Sequence, residues 1–550
     1  MFGTMMDTPL LISSLIRFAA RYHGDTEIVT RTVEGAIHRY TWRDAYGRTQ
    51  RLANALTRLG VKPGDRVATL AWNTHRHLEL YYAVSGMGSV LHTINPRLFL
   101  EQIRYIVNHA EDRYVFTDLT FVPLLEGLAP TLPKVKGYVI MTDRAHMPAT
   151  KLPDALCYEE LVNAERDSFD WPTFDERTAA SLCYTSGTVG NPKGALYSHR
   201  STLLHTMAIC STDGFGLSTN SVCLPVVPMF HVNAWGIPYG AAMTGAKLVM
   251  PGPRLDGESV CDLLETEQVT MTAGVPTVWL MLLTYLRQSG KRPQHLKEIL
   301  VGGSAVPLSM IQAFENEFGY RMIHAWGMTE MSPVGTCGRL KHKMLTLPTD
   351  QRHAIQAKQG RAICHVDLKI VGPDGKALPH DGKAFGELFV RGPWVISAYY
   401  NDEAATRDAF DDEGWFGTGD VATIDPEGYM QIVDRAKDVV KSGGEWISSI
   451  DLENKAMGHP GVAEAAVIGV PHPKWDERPI LVVVAKPGAS PTREDIIGFL
   501  RGQVPSWCVP DDVVFVQQLP HTATGKLSKR ELREQLKDYR LPTASMQAAG

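Results

Sequence analysis

The residues with the clearest chemical potential lie in a glycine-rich stretch from Tyr184 to Gly194. Its glycines allow backbone conformations that other residues avoid. Its backbone amides, hydroxyls and one ammonium group can converge on a single anion, which is typical of a phosphate-binding loop. The residues that would form this loop are Thr185, Ser186, Gly187, Thr188 and Lys193.

The stretch is not a Walker A loop, because that motif requires Gly-Lys followed by Ser or Thr. Here Pro192 precedes Lys193 and Gly194 follows it. Taken alone, the stretch could equally be a polar surface loop. Charged residues in later motifs have the same ambiguity, because each of them taken alone is typical of a solvated surface charge. These residues are Glu330, Asp420, Arg435, Lys441 and Lys526.

Length and composition limit the classes of protein to consider. A chain of 550 residues predicts two to four folding units, and 44% apolar with 21% charged residues is ordinary for a globular protein. A net charge of −5 disfavours nucleic acid as a partner. The eight scattered cysteines are predicted to be reduced and mostly buried thiols.

The N-terminus has no basic residue before Arg17, so it does not resemble a secretory signal. No window approaches the ~18 uninterrupted apolar residues that favour a membrane span. We therefore predict a soluble, cytoplasmic protein without membrane insertion. The apolar stretch Leu10–Ile16 is either a dimer contact or an amphipathic helix folded onto its own domain.

Short apolar runs alternate with helical stretches and turns, which indicates an α/β chain. One helix after the glycine-rich loop should bury Leu203, Leu204, Met207 and Ala208, and Thr277–Leu286 should be a buried helix. The predicted strands are Ala179–Tyr184, Glu298–Val301, Val462–Val470 and Ile480–Val484.

A domain boundary is predicted near residue 434. The turn-rich Asp425–Gly428 precedes it, and the charged Asp434–Asp438 with the flexible Ser442–Gly444 follow it. We expect a large domain of several sheets at 1–434 and a small, mobile α/β cap at 435–550.

Several motifs together resemble the AMP-forming acyl-CoA synthetases, the superfamily that includes luciferases and peptide-synthetase adenylation domains. The resemblance covers roughly residues 40–530 and points to the fatty-acyl-CoA ligase branch, especially the 3-methylmercaptopropionyl-CoA ligases of dimethylsulfoniopropionate catabolism. Besides the glycine-rich loop, the matching motifs are Pro228–His231, Gly302–Ala305, His324–Glu330, Gly414–Asp420, Asp434–Asp438, Lys441–Trp446 and Thr524–Lys526.

The resemblance implies that a carboxylic acid, ATP and coenzyme A become acyl-CoA, AMP and diphosphate through an acyl-adenylate. Thr185 and Glu330 would hold Mg²⁺, and the loop with Lys193 would hold the β- and γ-phosphates. Asp420 would bind the ribose, with Arg435 beside it. The adenine side of the site would be formed by Gly302, Gly303, Ser304, His324, Ala325, Trp326, Gly327 and Thr329.

The same resemblance makes Lys526 the principal catalytic residue of adenylation, since a cation there would stabilise charge that develops in the transition state. The cap would then swing about a hinge at Lys437, where many relatives carry Asp, to admit coenzyme A. Lys441 and Trp446 would be brought to the cleft, although Trp446 could equally just pack the domain interface.

The predicted acyl pocket is lined by His231, Trp235, Gly302, Trp326 and Met328. His231 could instead be an ordinary core histidine. Trp326 stands where relatives often have Tyr, so adenine stacking should persist while the acyl cavity shortens. Two indoles at a narrow pocket favour a short apolar acid, and the resemblance favours 3-methylmercaptopropionate. Selectivity should be broad, because one methylene is worth only roughly 1–3 kcal/mol.

Three alternatives stay open. The enzyme could prefer medium- or long-chain fatty acids, or it could pass the acyl group to a carrier protein. From another class, it could be a non-catalytic nucleotide-binding protein, although Glu330, Asp420 and Lys526 are all present. Since relatives in this branch often dimerise, a homodimer is also expected.

Overall fold

The computed structural model describes residues 1, 3–185, 191–443, 445–521 and 527–541, without the side chains of residues 445 and 446. Within these ranges the chain is a mixed α/β protein. A large N-terminal domain holds a thirteen-stranded and a seven-stranded sheet, and a small C-terminal domain holds a five-stranded sheet. The predicted fold class is confirmed.

The elements follow one another in regular alternation. Those up to residue 184 are α1 (Ser13–Tyr22), β1 (Glu27–Arg31), β2 (Ile37–Thr41), α2 (Trp42–Arg58), β3 (Arg66–Leu70), α3 (His75–Gly86), β4 (Val90–Thr93), α4 (Leu100–Ala110), β5 (Tyr114–Thr117), α5 (Val122–Leu128), β6 (Gly137–Ile140), β7 (Leu156–Cys157), α6 (Tyr158–Asn163) and β8 (Ala179–Tyr184). Those up to residue 337 are β9 (Gly194–Ser198), α7 (His199–Cys210), β10 (Val222–Pro225), α8 (Ile237–Thr244), β11 (Lys247–Met250), α9 (Gly257–Thr266), β12 (Met271–Gly274), α10 (Pro276–Ser289), β13 (Glu298–Val301), α11 (Leu308–Ala313), β14 (Arg321–Gly327) and β15 (Val334–Cys337). The remainder are α12 (Thr349–Gln356), β16 (Gly360–Ala362), β17 (Asp367–Val371), β18 (Phe385–Arg391), α13 (Glu403–Ala409), β19 (Phe416–Ile424), β20 (Tyr429–Arg435), β21 (Val440–Ser442), β22 (Glu445–Ile447), α14 (Ser449–Ala456), β23 (Val462–His472), β24 (Asp476–Ala485), α15 (Arg493–Leu500), β25 (Asp512–Phe515) and α16 (Lys529–Gln535).

The seven-stranded sheet has the order β7-β6-β5-β3-β4-β8-β9. Strands β3 to β8 pair in parallel, and β9 returns antiparallel to β8. Strands β4 and β5 are buried along their whole length, as expected for a parallel sheet whose two faces are covered. The glycine-rich loop therefore joins two antiparallel strands at the edge of this sheet.

The thirteen-stranded sheet changes from parallel to antiparallel strand pairing at β14. On one side β14 pairs in parallel with β13, and on the other it pairs antiparallel with β15. The parallel part continues through β12, β10 and β11 to β1, where Ile28 lies opposite Leu248. The carboxyl end of β14 thus lies where the two halves meet.

The C-terminal sheet has the order β22-β21-β24-β23, and β25 pairs in parallel with β24. The long antiparallel pair β23–β24 contains the predicted strands Val462–Val470 and Ile480–Val484. Strands β8 and β13 likewise match the predicted Ala179–Tyr184 and Glu298–Val301.

Two predictions about helix burial are only partly correct. In α7, Leu203 is buried and Leu204 and Ala208 are half-buried against the core, but Met207 is 46% exposed. The rest of the buried face of α7 is formed by His199, Thr202, His205, Thr206 and Ile209. Helix α10 buries Trp279, Leu282, Leu283 and Leu286 but exposes Leu280 and Met281. In both helices apolar residues occupy more of the helix surface than the face that packs against the core. Apolar composition alone therefore overestimates how many side chains are buried.

The N-terminal apolar stretch folds onto its own domain. Leu11, Ile12, Leu15 and Ile16 are buried, and α1 packs against α2 and α8. This is the second of the two predicted alternatives. All eight cysteines are free thiols, and those that are buried are Cys157, Cys183, Cys223, Cys261 and Cys337. In the described part of the chain, every helix is too short or too polar to cross a bilayer.

Candidate active site

The glycine-rich loop is closed at its base by two reciprocal hydrogen bonds. The Thr185 N–H donates to the Lys193 carbonyl at 2.9 Å, and the Lys193 N–H donates to Thr185 Oγ1 at 3.1 Å. The predicted phosphate ligands Ser186, Gly187 and Thr188 lie outside the described residues. Thr185, directly after β8, and Lys193, directly before β9, are therefore fixed as neighbours at the base of the loop.

Strand β9, which follows the loop, was not predicted from the sequence. We expected a helix directly after the loop. The helix α7 follows β9 without a break. Ser198 caps it, since its hydroxyl accepts from the Ser201 N–H at 3.0 Å. Loop, strand and capped helix make this a different arrangement from a Walker A loop, in which the helix starts at the phosphates.

Glu330 lies just beyond β14 and is buried, with 6% of its surface exposed. The Tyr399 hydroxyl donates to Glu330 Oε1 at 2.7 Å. Burial raises the pKa of Glu330, and the Tyr399 hydrogen bond opposes this rise. Lys193 Nζ lies 4.9 Å from the centre of the Tyr399 ring, a distance at which a cation is attracted to the ring face. Tyr399 therefore joins the base of the glycine-rich loop to Glu330.

Two further contacts bind this region together. The Tyr197 hydroxyl on β9 donates to the Thr329 carbonyl at 2.5 Å. The Ile396 N–H donates to the Glu330 carbonyl at 2.8 Å. Sequence reasoning missed both Tyr197 and Tyr399, because neither lies in a motif and their partners are distant in sequence.

Trp326 and Asp420 form a second buried pair near the end of β14. The Trp326 indole Nε1 donates to Asp420 Oδ2 at 3.2 Å, and Arg435 Nε lies 3.0 Å from Asp420 Oδ1. Asp420 is 4% exposed, whereas Arg435 is exposed. Asp420 and Arg435 are opposite one another on β19 and β20. Because relatives often have Tyr at this position, we expected the loss of a phenol hydroxyl. The indole N–H of Trp326 supplies a hydrogen-bond donor there instead.

The predicted adenine-side residues lie at the carboxyl ends of β13 and β14. A Cβ at Gly302 would come within 2.6 Å of the Ala325 carbonyl oxygen, so only glycine fits between the two strands. Gly303 has a φ of 84°, which also favours glycine. A Cβ at Gly327 would meet the Pro333 carbonyl oxygen at 2.0 Å. Ser304 is exposed at the end of β13.

His324, predicted on the adenine side of the site, uses its side chain for a contact within the protein. Its Nδ1 lies 3.1 Å from the Ala357 carbonyl oxygen, and the side chain is buried. Burial lowers the pKa of His324 to about 4, so the imidazole is neutral near pH 7. A neutral Nδ1–H can donate to that carbonyl, which anchors β14 to the loop after α12.

The predicted acyl-pocket residues Trp235 and Gly302 are brought together. The Trp235 ring edge lies 3.4 Å from the position that a Cβ would take at Gly302, and Trp235 is 7% exposed. His231 and Met328 are half-buried, and the Met328 N–H donates to the Pro333 carbonyl at 3.0 Å.

The segment between His231 and α8 has an unusual backbone. The residues Val232, Asn233, Ala234, Trp235 and Gly236 all have positive φ angles, between 44° and 79°. We call this segment the left-handed turn. For residues other than glycine this region costs roughly 1–2 kcal/mol each, so the surrounding structure must hold it.

The predicted hinge at Lys437 lies between β20 of the thirteen-stranded sheet and β21 of the C-terminal sheet. Lys437 is exposed, and the neighbouring Asp438 pairs with Arg533 at 2.7 Å. Asp434, the last residue of the predicted first domain, is buried and accepts from the Ser449 N–H of α14 at 2.8 Å. The side chain of Asp434 is thus bonded into the C-terminal domain.

Lys441 is exposed on β21, and its N–H donates to Glu477 Oε2 at 3.0 Å. It lies opposite Trp446 on β22, whose side chain is not among those described. Lys526, predicted to be the principal catalytic residue, also lies outside the described residues.

The chemistry of the two predicted metal ligands, Glu330 and Thr185, suits Mg²⁺. Carboxylate and hydroxyl oxygens are hard ligands, and Mg²⁺ is usually held by one or two carboxylates together with substrate phosphates. In the ranges that the structure describes, no cluster of three or more His, Cys, Asp or Glu side chains could hold a metal alone. The Glu330 carboxylate and the Thr185 hydroxyl are oxygen groups of the kind that Mg²⁺ binds together with phosphate oxygens.

Comparison with known proteins agrees with this geometry. Residues 15–400 match the family model of the AMP-binding enzyme, and residues 451–526 match that of the AMP-binding enzyme C-terminal domain. The chain therefore belongs to the AMP-binding enzymes, the adenylate-forming superfamily.

Individual relatives span the whole chain. A 3-methylmercaptopropionyl-CoA ligase of Ruegeria lacuscaerulensis is 52% identical over 98% of this chain and 99% of its own. A medium-chain-fatty-acid–CoA ligase of Ectopseudomonas oleovorans is 48% identical over 99% of each chain. The crystal structure of ATP-bound MatB from Rhodopseudomonas palustris superposes with a TM-score of 0.80 at 26% identity, covering 96% of this chain and 99% of the other.

Proposed function

We propose that the protein is an AMP-forming acyl-CoA ligase whose preferred acid is 3-methylmercaptopropionate, with short- and medium-chain fatty acids also accepted. One observation carries the proposal. The end of β14 presents Trp326, whose indole holds Asp420, and three residues after the strand comes Glu330, held by Tyr399 beside Lys193. A carboxylate suited to ribose and another suited to a metal ion are thus both held by residues at or just beyond the end of β14 and their partners.

In the first half-reaction, the acid attacks the α-phosphate of ATP and diphosphate leaves. Two anions must approach each other, so their charge has to be neutralised and their atoms held in line. Lys193 and the loop from Thr185 bind the β- and γ-phosphates, and Asp420 with Arg435 binds the ribose. Mg²⁺ held by Glu330 and Thr185 would neutralise phosphate charge. The adenine lies against Gly302–Ser304 and the end of β14.

Lys526 stabilises the charge that develops between the carboxylate and the α-phosphate. The C-terminal domain, taken as residues 435–550, then rotates about Lys437. Lys441 and Trp446 reach the cleft, and the thiol of coenzyme A attacks the acyl carbonyl while AMP leaves. The exposed position of Lys437 next to the Asp438–Arg533 pair supports a hinge there.

The acyl chain lies between His231, Trp235, Gly302, Trp326 and Met328. The close approach of the Trp235 ring to Gly302 supports a short pocket, because the indole fills the space beside the glycine. The relative from Ruegeria lacuscaerulensis supports 3-methylmercaptopropionate, and that from Ectopseudomonas oleovorans supports medium-chain fatty acids as the second candidate. A homodimer and a cytoplasmic location stay predictions, as does transfer to a carrier protein.

The test is Mg·ATP-dependent release of pyrophosphate, measured with and without coenzyme A. The acids are 3-methylmercaptopropionate, butyrate, hexanoate, octanoate, palmitate and benzoate. We expect turnover that requires coenzyme A, yields the thioester and is fastest with the short acids. A palmitate optimum would overturn the substrate assignment, and pyrophosphate release without thioester would indicate another acceptor. No release with any acid would overturn the ligase assignment.

A further inference from the structure

The buried amide of Asn233 anchors the left-handed turn (Val232–Gly236) to neighbouring elements. Asn233 is 3% exposed, and its Nδ2 donates to Ser181 Oγ at 2.9 Å. Its Oδ1 accepts from the Cys183 thiol at 3.5 Å and lies 3.3 Å from the Tyr81 hydroxyl, which donates more closely to the Met229 carbonyl. Burial raises the pKa of the Cys183 thiol to about 11, so the S–H donor is kept. Both ends of the amide are therefore engaged.

The partners of Asn233 belong to the strand that carries the glycine-rich loop. Ser181 and Cys183 lie two residues apart on β8 and so point to the same face of the strand. Thr185 follows at the next position of that alternation, at the base of the loop. The amide of Asn233 thus ties the left-handed turn to the strand that presents the phosphate ligands.

The same turn carries the indole that fills the acyl pocket. Trp235 follows Asn233 by two residues, and its ring edge lies beside Gly302. The turn has little room to move, because a Cβ at Gly236 would lie 3.0 Å from the His205 ring on α7. A positive φ at Val232 is unfavourable for a β-branched residue and would relax if the turn were released.

We propose that Asn233 is a positioning residue that fixes Trp235 and thereby sets the length of the acyl chain that the enzyme accepts. This inference rests on the proposed ligase function. Asn233, which was not among the predicted site residues, holds the acyl pocket in a fixed position relative to the phosphate loop. Without the amide, the turn relaxes, the indole leaves Gly302 and longer chains enter.

The experiment compares variants that separate the amide from the backbone conformation. Asn233→Gly keeps a residue that accepts positive φ but removes the amide. Asn233→Asp keeps an oxygen acceptor but loses the donor to Ser181. The matched control is Ala234→Gly, which relieves the unfavourable positive φ at the next residue of the turn and removes no side-chain hydrogen bond. The measured quantity is the ratio of kcat/KM for octanoate to that for 3-methylmercaptopropionate.

We expect the ratio to rise about tenfold in Asn233→Gly, a change of the size that pocket contacts can produce. Ala234→Gly should leave it unchanged. The shift should also disappear in a Trp235→Ala background, because the indole is then already absent. A general structural role would lower both kcat/KM values together and would not depend on Trp235.

Several outcomes would overturn the inference. They are an unchanged ratio in an active Asn233→Gly enzyme, an equal shift in Ala234→Gly, or a shift that persists without Trp235. If Asn233→Gly fails to fold, Ser181→Ala removes the same hydrogen bond from the other side and must raise the ratio. A wild-type enzyme that activates no acid would instead be a failure of the proposed function.

Discussion

The hydroxyl of Tyr399 donates to Glu330 Oε1 at 2.7 Å while the ring of the same tyrosine lies 4.9 Å from Lys193 Nζ. One side chain therefore contacts both the carboxylate proposed for the metal and the cation proposed for the phosphates. Both Tyr399 and Glu330 are buried, so the hydrogen bond is shielded from water and aligns the carboxylate before a nucleotide binds.

Replacing Tyr399 with Phe should weaken binding of Mg·ATP by about tenfold, because a hydrogen bond to a charged group contributes roughly 1.5–3 kcal/mol. The ring and its contact with Lys193 would be kept. Calorimetric titration of Mg·ATP into the protein measures this without catalysis. The matched control is Tyr400→Phe, which removes a hydroxyl one residue further along. Equal losses in the two variants, or none in Tyr399→Phe, would contradict the assignment.

Replacing Trp326 with Phe should raise the KM for ATP by about tenfold, since Asp420 loses an indole donor that orients it. The KM for coenzyme A should change less. Trp171→Phe is a suitable control, because that indole donates to Tyr46 in another part of the domain. An unchanged KM for ATP would mean that Asp420 keeps its orientation without the indole donor.

Replacing Lys526 with Ala should slow formation of the acyl-adenylate by roughly 10²–10³-fold, the loss seen when one preorganised transition-state donor is removed. Formation of the thioester from supplied acyl-adenylate and coenzyme A should be nearly normal. Pyrophosphate exchange measures the first step and thioester absorbance the second. Lys537→Ala, which removes an exposed lysine after α16, is the control. Equal loss in both steps would argue for a structural role.

Asp118 should make stability depend on pH. It is 1% exposed, and burial raises its pKa to about 7, above the ordinary 3.8. The folded state binds the proton more tightly than the unfolded state, so folding loses stability as the pH rises from about 4 to about 7.

Asp118→Asn should remove this loss, because an amide oxygen can still accept from the Trp72 N–H. The variant should gain roughly 2–4 kcal/mol over wild type above about pH 7, and the gap should narrow towards about pH 5. Denaturant unfolding at a series of pH values gives the comparison. Asp170→Asn, at an exposed position, should give no such trend. A gap that does not vary with pH would contradict the prediction.

Motif order predicted residues that the structure links to one another. Lys193, Glu330 and Asp420 were identified from separate motifs, and the structure brings them to the end of β14 through Tyr399 and Trp326. Strands β8, β13, β23 and β24 were predicted because a buried strand has a distinctive run of apolar residues.

The parts that were missed depend on tertiary contacts. Tyr399 meets Glu330 across 69 positions of sequence, and nothing local distinguishes it from Tyr400. The left-handed turn contradicts the local preferences of Val232, Ala234 and Trp235, so no propensity could have predicted it. The buried face of α7 differs from the predicted face because polar Thr202 and Thr206 satisfy their hydroxyls within the helix.

The pairing of β1 with β11 has a consequence for synthesis of the chain. Ile28 cannot find Leu248 until roughly 200 further residues have been made, which at ~5–20 residues per second takes about 10–40 s. During that interval the apolar side of α1 lacks α8, against which it packs in the finished protein. Part of that apolar side therefore stays exposed until α8 emerges, and exposed apolar surface of this kind makes a nascent chain prone to aggregation.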